Sequence, residues 1–177
     1  MPLDRYLYSR PNLRLTGYDY SQNGAYFLTI CTYDRECLLG DIVNGEMRLN
    51  ESGEIVKSEW IRTSSIRQEI VLDCYAVMPN HFHAIVFVRG GDRPVAATNN
   101  ASGPRPRSIG SFVAGFKSSV TKHVNEIRKT PGIPVWQQNY YEHIIRDDDD
   151  LNRILEYIEN NPARWAEDEE NPSHIKP

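Results

Sequence analysis

Two histidines, His81 and His83, flank one phenylalanine at the start of an apolar run that continues through Ala84, Ile85, Val86, Phe87 and Val88. Imidazole is a common metal ligand, and the run reads as a β-strand. Side chains on a strand alternate between faces, so His81 and His83 project to one side while Phe82, Ala84, Val86 and Val88 project to the other. If the apolar set faces a core, the imidazoles converge on the opposite side as solvent-facing groups. A rigid strand would then offer two coordination positions with little ordering cost. The spacing alone leaves two readings open, a metal-binding pair or two hydrogen-bonded surface histidines.

The second chemical candidate lies near the C-terminus, from Arg146 to Pro162. Asp147 to Asp150 supply the acids that favour a helix N-terminus, and Leu151, Ile154, Leu155 and Ile158 recur at helical spacing. A helix over 147–165 places Tyr157 and Asn161 one turn apart on one flank, a phenol beside an amide oxygen. Pro162 disfavours helical geometry at Asn161 and predicts a distorted last turn. An acidic tail, 166–177, follows as a charge run of the kind usually solvated.

Together these stretches resemble the single-tyrosine HUH transposases, and most nearly the REP-associated tyrosine transposases, relatives of the transposases of the smallest bacterial insertion sequences. The resemblance rests on Met78-Pro79-Asn80-His81-Phe82-His83 and on Tyr157-Ile158-x-Asn160-Asn161-Pro162. It extends to Arg14-Leu15-x-Gly17-Tyr18-Asp19-Tyr20, Gly24-x-Tyr26-Phe27-Leu28-Thr29-Ile30-Cys31-Thr32 and Trp136-Gln137-x-x-Tyr140-Tyr141-Glu142-His143. It implies that His81, His83 and Asn161 hold a divalent metal, Mg²⁺ or Mn²⁺, and that Tyr157 is the nucleophile. It further implies cleavage and rejoining of single-stranded or hairpin DNA through a 5′-phosphotyrosine link, by a transposase or a domesticated relative. Such proteins act as monomers or as homodimers that exchange tyrosine helices. Two imidazoles and an amide carry no charge, so metal binding is expected to be weak until DNA arrives. Tyr140 and Tyr141 are the nearest rival tyrosines, and His143 reads as an acid or base, a phosphate contact or a hydrogen-bonded neighbour.

The composition fits one domain over 1–177: 177 residues with 40% hydrophobic content suffice for a sizeable core. No apolar run approaches a membrane span, the N-terminus lacks the apolar stretch of a signal peptide, and the three cysteines show no Cys-x-x-Cys spacing. A reducing cytoplasm is the expected setting. A net charge of −4 is unusual for a DNA enzyme, but it averages over segregated charge. Arg105, Arg107, Lys117, Lys122, Arg128 and Lys129 face only Glu126 in their stretch, which permits a basic DNA-binding face there and equally reads as solvated surface charge. The arm 1–23 interleaves Arg5, Arg10 and Arg14 with four tyrosines, a mixture that suits phosphate gripping and base stacking or an arm packed on the domain.

Around these candidates the chain reads as strand 24–33, a hairpin about Asn44-Gly45 within 37–50, helix 51–66 with Ile55, Val56, Trp60 and Ile61, and strand 69–78. The histidine strand comes next, then a flexible connection over 90–107, helix 108–127 and strand 135–145. This order predicts an α+β, ferredoxin-like architecture: an antiparallel four-stranded sheet with two helices on one face, to which the C-terminal tyrosine helix is added. The same fold could serve as a non-catalytic single-stranded nucleic-acid-binding module. A zinc hydrolase lacks support, since no Cys pair or His-Glu-x-x-His helix is present.

Overall fold

The run that carries the histidines forms β5 (His81–Val88), an interior strand of a four-stranded antiparallel sheet. Its order is β4–β5–β1–β6, with β1 at Gly24–Cys31, β4 at Ile70–Val77 and β6 at Tyr141–Ile145. A separate hairpin joins β2 (Gly40–Val43) to β3 (Glu46–Leu49) through Asn44 and Gly45, whose φ angles of 54° and 76° are those a primed turn needs. The structure, a computed structural model, describes residues 24–89 and 108–174. The arm with Arg5, Arg10 and Arg14, the connection with Arg105 and Arg107, and residues 175–177 lie outside the described residues.

Each α-helix starts on a side-chain cap, which satisfies one of the N–H groups left over at a helix start. Asn50 accepts from Gly53 at the head of α1 (Glu51–Ile66), Ser108 from Ser111 at α2 (Ile109–Arg128), and Asp147 from Asp150 at α3 (Asp148–Asn160). The succession β1, α1, β4, β5, α2, β6 is the ferredoxin-like α+β sandwich. Tyr26, Leu28 and Ile30 of β1 and Phe82, Ala84 and Val86 of β5 pack against Val56, Trp60, Phe112, Phe116 and Val120 of the two helices. On the opposite face Ala25, Phe27, Ile85 and Ile145 pack against Leu151, Ile154 and Ile158 of α3. The sheet is thus covered on both sides, which is why β1 and β5 are continuous apolar runs. The tyrosine helix lies on the sheet of its own chain.

The structure departs from the sequence pattern in four places. Ile61 is 54% exposed, because Val56, Trp60 and Thr63 set the buried stripe of α1 and Ile61 points away from it. Only Tyr141–Ile145 of the stretch 135–145 joins the sheet. Before it, Trp136 makes an isolated bridge to Thr32, and the backbone carbonyls of Gln137 and Gln138 accept from Lys117 Nζ at 2.5 and 2.9 Å. The helix expected to reach residue 165 ends at Asn160, and Pro162, which lacks an N–H donor, opens a 3₁₀ helix over Pro162–Glu167. Asn161 nonetheless keeps helical angles, φ −57° and ψ −44°, so the proline tightens the turn without removing Asn161 from the flank of Tyr157. Among the described residues no helix is long and apolar enough to cross a membrane.

Trp60 is the hub of the larger core, fully buried and ringed by Phe82, Phe112 and Phe116 at centroid distances of 4.8, 5.6 and 5.4 Å. Trp60→Ala is expected to cost about 3–5 kcal/mol of folding stability, read as a lower urea midpoint. A loss below about 1 kcal/mol would show that the two helices are held on the sheet by something else.

Candidate active site

Alternation along β5 sends His81 and His83 to the α3 side of the sheet, as expected, but they are not solvent-facing. They are 0% and 2% exposed, with ring centroids 4.4 Å apart. The cover comes from α3 and the 3₁₀ helix behind it, whose Trp165 ring lies 6.0 Å from His81.

Asn80, in the turn before β5, fixes the orientation of His81. Its Nδ2 donates to the carbonyls of Arg35 (3.1 Å) and Glu170 (2.7 Å), so its Oδ1 is the atom left facing His81 Nδ1 at 2.9 Å. An amide oxygen only accepts, hence the His81 proton sits on Nδ1 and Nε2 presents its lone pair to the site. His83 is held by Thr29, its register partner on β1, through Oγ1 to Nδ1 at 2.9 Å. Its Nε2 meets Tyr157 Oη at 3.3 Å. Burial lowers the His81 pKa to about 4 against the pull of Asp168, and burial and then neighbouring His81 push His83 well below its ordinary value. Both imidazoles are therefore neutral near pH 7, the form that ligates metals.

Tyr157 and Asn161 arrive from α3 on the same side. The Tyr157 ring stands edge-on to Phe27 at 6.0 Å and near His83 at 5.2 Å, and the residue is 45% exposed. Burial, followed by Asp168 and Glu169, pushes its phenol up to about 12, so the hydroxyl is protonated and needs local activation to attack anything. Asn161 is 3% exposed and its Nδ2 donates to Asp168 Oδ2 at 2.7 Å. That leaves Asn161 Oδ1 and His81 Nε2 buried with no hydrogen-bond partner.

Asp168 is the residue the sequence pattern missed. In the run Glu167-Asp168-Glu169-Glu170 nothing distinguishes it from its neighbours, and the tail reads as solvated charge. The structure instead buries it to 7% exposure, with Oδ1 accepting from Glu170 N at 2.7 Å and Oδ2 lying 4.0 Å from His81 Nε2. The 3₁₀ turn after Pro162 carries the chain back over β5 and makes this possible. Ligand atoms of His81, His83 and Asp168 lie within 4.8 Å of one another. Nitrogen lone pairs, an amide oxygen and a carboxylate, two of these atoms lacking any donor, have the chemistry of a divalent-cation site. Without a cation each orphaned acceptor costs on the order of 1–3 kcal/mol.

Other candidates fall elsewhere. His143 pairs through Nε2 with Asp150 Oδ2 at 2.8 Å, and Asp150 also accepts from Arg146 N and from Arg153, so His143 anchors the first turn of α3. Lys117 donates to two backbone carbonyls, which leaves one N–H of its ammonium. Lys122 is exposed and 4.0 Å from Glu126. Tyr140 donates to Glu142 at 3.0 Å, whereas Tyr141 is 58% exposed with its ring 6.3 Å from Phe27.

The chain is 39% identical over 171 residues to an uncharacterized protein of Haemophilus influenzae, covering 92% of this chain and 93% of that protein. Those two belong to one family. A second Haemophilus influenzae protein, provisionally named a REP-associated tyrosine transposase, is 28% identical over 152 residues, covering 82% of this chain and 74% of that one. Among solved structures, a REP-associated tyrosine transposase bound to a REP hairpin shares the fold with a TM-score of 0.56 at 19% identity, over 86% of this chain and 74% of that chain. No protein-family profile matches the chain.

Asn80→Asp tests the tautomer clamp. The two carbonyls now served by Nδ2 would face a carboxylate, so stability should fall by about 1–3 kcal/mol for each. The charge beside Nδ1 should also raise the His81 pKa, visible by NMR titration of the imidazole; an unshifted resonance would count against the clamp. Asp150 gives a pH signature. Burial raises its carboxyl, but His143, Arg153 and the Arg146 N–H outweigh that and hold it below its ordinary value. A depressed folded-state pKa contributes stability above the unfolded value, near ~3.9, and loses it as pH falls through the folded value. Asp150→Asn should accordingly be less stable than the native chain at neutral pH, and the gap in urea midpoints should close below about pH 4; a gap independent of pH would rule out this linkage.

Proposed function

The chain is a relative of the REP-associated tyrosine transposases, and from that premise we propose that it cleaves and rejoins single-stranded or hairpin DNA with Tyr157 as nucleophile. The observation that carries the proposal is the convergence of Tyr157 Oη, His83 Nε2, the unpaired His81 Nε2 and the unpaired Asn161 Oδ1 on one buried spot of the sheet. His81, His83 and Asn161 would hold the cation. When bound, a divalent ion such as Mg²⁺ or Mn²⁺ polarises the phosphate oxygens and offsets the charge that develops on attack.

The remaining steps belong to the chain. Tyr157 stands half-exposed at the rim, so a phosphate can approach its hydroxyl from solvent while the imidazoles stay covered. Oη forms a bond to phosphorus as the bond to the 3′ oxygen breaks. The phenol proton is lost to solvent and the departing oxygen takes one up, giving a 5′ phosphate on Tyr157 and a free 3′ hydroxyl. The ester conserves the energy of the broken bond, so attack by a 3′ hydroxyl reverses the step without ATP. Phosphate contacts fall to Arg5, Arg10, Arg14, Arg105, Arg107, Lys117 and Lys122, and binding should weaken steeply with added salt through counterion release. Cys31, Cys37 and Cys74 are unpaired thiols, which suits a reducing cytoplasm.

The test uses labelled hairpin-bearing single strands from the flanks of the protein's own gene. With Mn²⁺ or Mg²⁺ the native chain should give a covalent adduct on denaturing gels. Tyr157→Phe should retain fold and DNA affinity and lose the adduct, and His83→Ala should lose cleavage. An adduct mapped to Tyr141, or undiminished in Tyr157→Phe, would end the assignment, and binding without any adduct would favour a non-catalytic module.

A further inference from the structure

We propose that Asp168 is a fourth ligand of this cation site, and that the carboxylate lets the chain bind a divalent metal before any DNA is present. The inference rests on the metal site of the reading above and adds to it a residue outside both the histidine strand and the tyrosine helix.

Three observations carry it. Asp168 Oδ2 lies 4.0 Å from His81 Nε2. With the His81 proton on Nδ1, that separation is not an ion pair but two acceptors facing each other in a buried space. Asn161 Nδ2 donates to Oδ2 at 2.7 Å, but His81 Nε2 and Asn161 Oδ1 have no donor, and a cation between these acceptors would satisfy them. The dimensions also suit one. Ligands at about 2.0–2.6 Å from a divalent ion stand at most about 4–5 Å apart across it, and the His81, His83 and Asp168 atoms lie within 4.8 Å of one another.

Third, the carboxylate is held in position: Asn161 Nδ2 donates to Oδ2 at 2.7 Å, and the other contacts come from outside the site. Glu170 N donates to Asp168 Oδ1 at 2.7 Å, and the Glu170 carbonyl accepts from Asn80 at 2.7 Å. Arg35 reaches the Glu169 carbonyl at 3.4 Å and the Glu170 carboxylate at 3.3 Å. Asn171 Nδ2 closes the segment onto the Trp165 carbonyl at 2.8 Å. A ligand fixed in advance adds affinity without an ordering cost on binding. Asn80 thereby positions two ligands, His81 through Oδ1 and Asp168 through the Glu170 carbonyl. Replacing an all-neutral ligand set by one bearing a negative charge favours hard cations held by oxygen.

The experiment is a Mn²⁺ titration of the full chain without DNA, followed by calorimetry and by the EPR signal of free Mn²⁺. The native protein should bind one equivalent, and Asp168→Asn should bind at least tenfold more weakly. Melting temperature in EDTA should fall with that substitution, because one of the two donors to the carboxylate loses its acceptor, while the increase produced by Mn²⁺ should shrink. Equal Mn²⁺ affinity in Asp168→Asn and the native chain, with His83→Ala weakened, would overturn the role of Asp168 and leave the metal site standing. Mn²⁺ taken up only after a hairpin-bearing strand from the gene's flanks is added would also overturn it. Binding in neither condition would remove the metal reading as well. Should Asp168→Asn fail to fold, Asp168→Glu is examined with Co²⁺ in its place: a visible absorption band displaced from the native one supports ligation, and an identical band overturns it.

Discussion

The Asn80 side chain holds three separated pieces of the chain in one arrangement. Its two donated hydrogen bonds reach Arg35, in the turn after β1, and Glu170, in the C-terminal segment, while its oxygen receives the proton of His81. Both donated bonds end on backbone carbonyls, which cannot donate in return, so the amide has one orientation open to it. That orientation dictates the tautomer of His81, and the tautomer dictates that a lone pair faces inward. Asn80 is itself fully buried, and a buried amide with all its groups paired rigidifies its neighbours. A short turn between two strands thus does more for the site's chemistry than its length implies.

The sheet separates two tasks by face. Toward α1 and α2 lies an ordinary aromatic and aliphatic core centred on Trp60, where burial supplies most of the stability. Toward α3 the apolar contact is smaller, with Ala25, Phe27, Ile85 and Ile145 meeting Leu151, Ile154 and Ile158 of the helix and Cys74, Ala76, Phe87 and Leu155 at its margin, and the two histidines share that face. β5 belongs to both, with Phe82 in one layer and His81 and His83 in the other. A residue-by-residue alternation therefore places the histidines on a strand whose position is fixed by the opposite face. Orphaned acceptors can be tolerated there because the larger core carries the stability.

Much of this was legible in the sequence wherever the governing interaction is local. The side of β5 taken by His81 and His83 follows from alternation, and the stacking of Tyr157 and Asn161 follows from helical spacing. The turn at Asn44-Gly45 follows from the backbone freedom of those residues. The burial of the histidines was not legible, because it depends on the chain returning over them after Pro162, about 80 residues later in the numbering. Asp168 was hidden for the same reason, since an acid in a run of acids carries no mark of which one turns inward. The tie of Lys117 to the irregular stretch around Gln137 and Gln138, whose carbonyls accept from it, was not legible either, because it depends on a contact between distant segments. The periodicity of 135–145 suggested a long strand, but apolar side chains such as Val135 and Trp136 can be buried without joining the ladder.

The contact between Tyr157 Oη and His83 Nε2, at 3.3 Å, makes an interlock. An imidazole nitrogen has a single lone pair and serves a single partner. In the tautomer with the His83 proton on Nδ1, beside Thr29 Oγ1, the phenol donates to Nε2; that nitrogen is then not available as a ligand, and to become one it must lose the hydroxyl. On the proposed reading, the Tyr157 hydroxyl is therefore parked on the very atom whose recruitment as a ligand would set it free. Under that proposal the hydroxyl would stay idle by default, and filling the cation site would also release it.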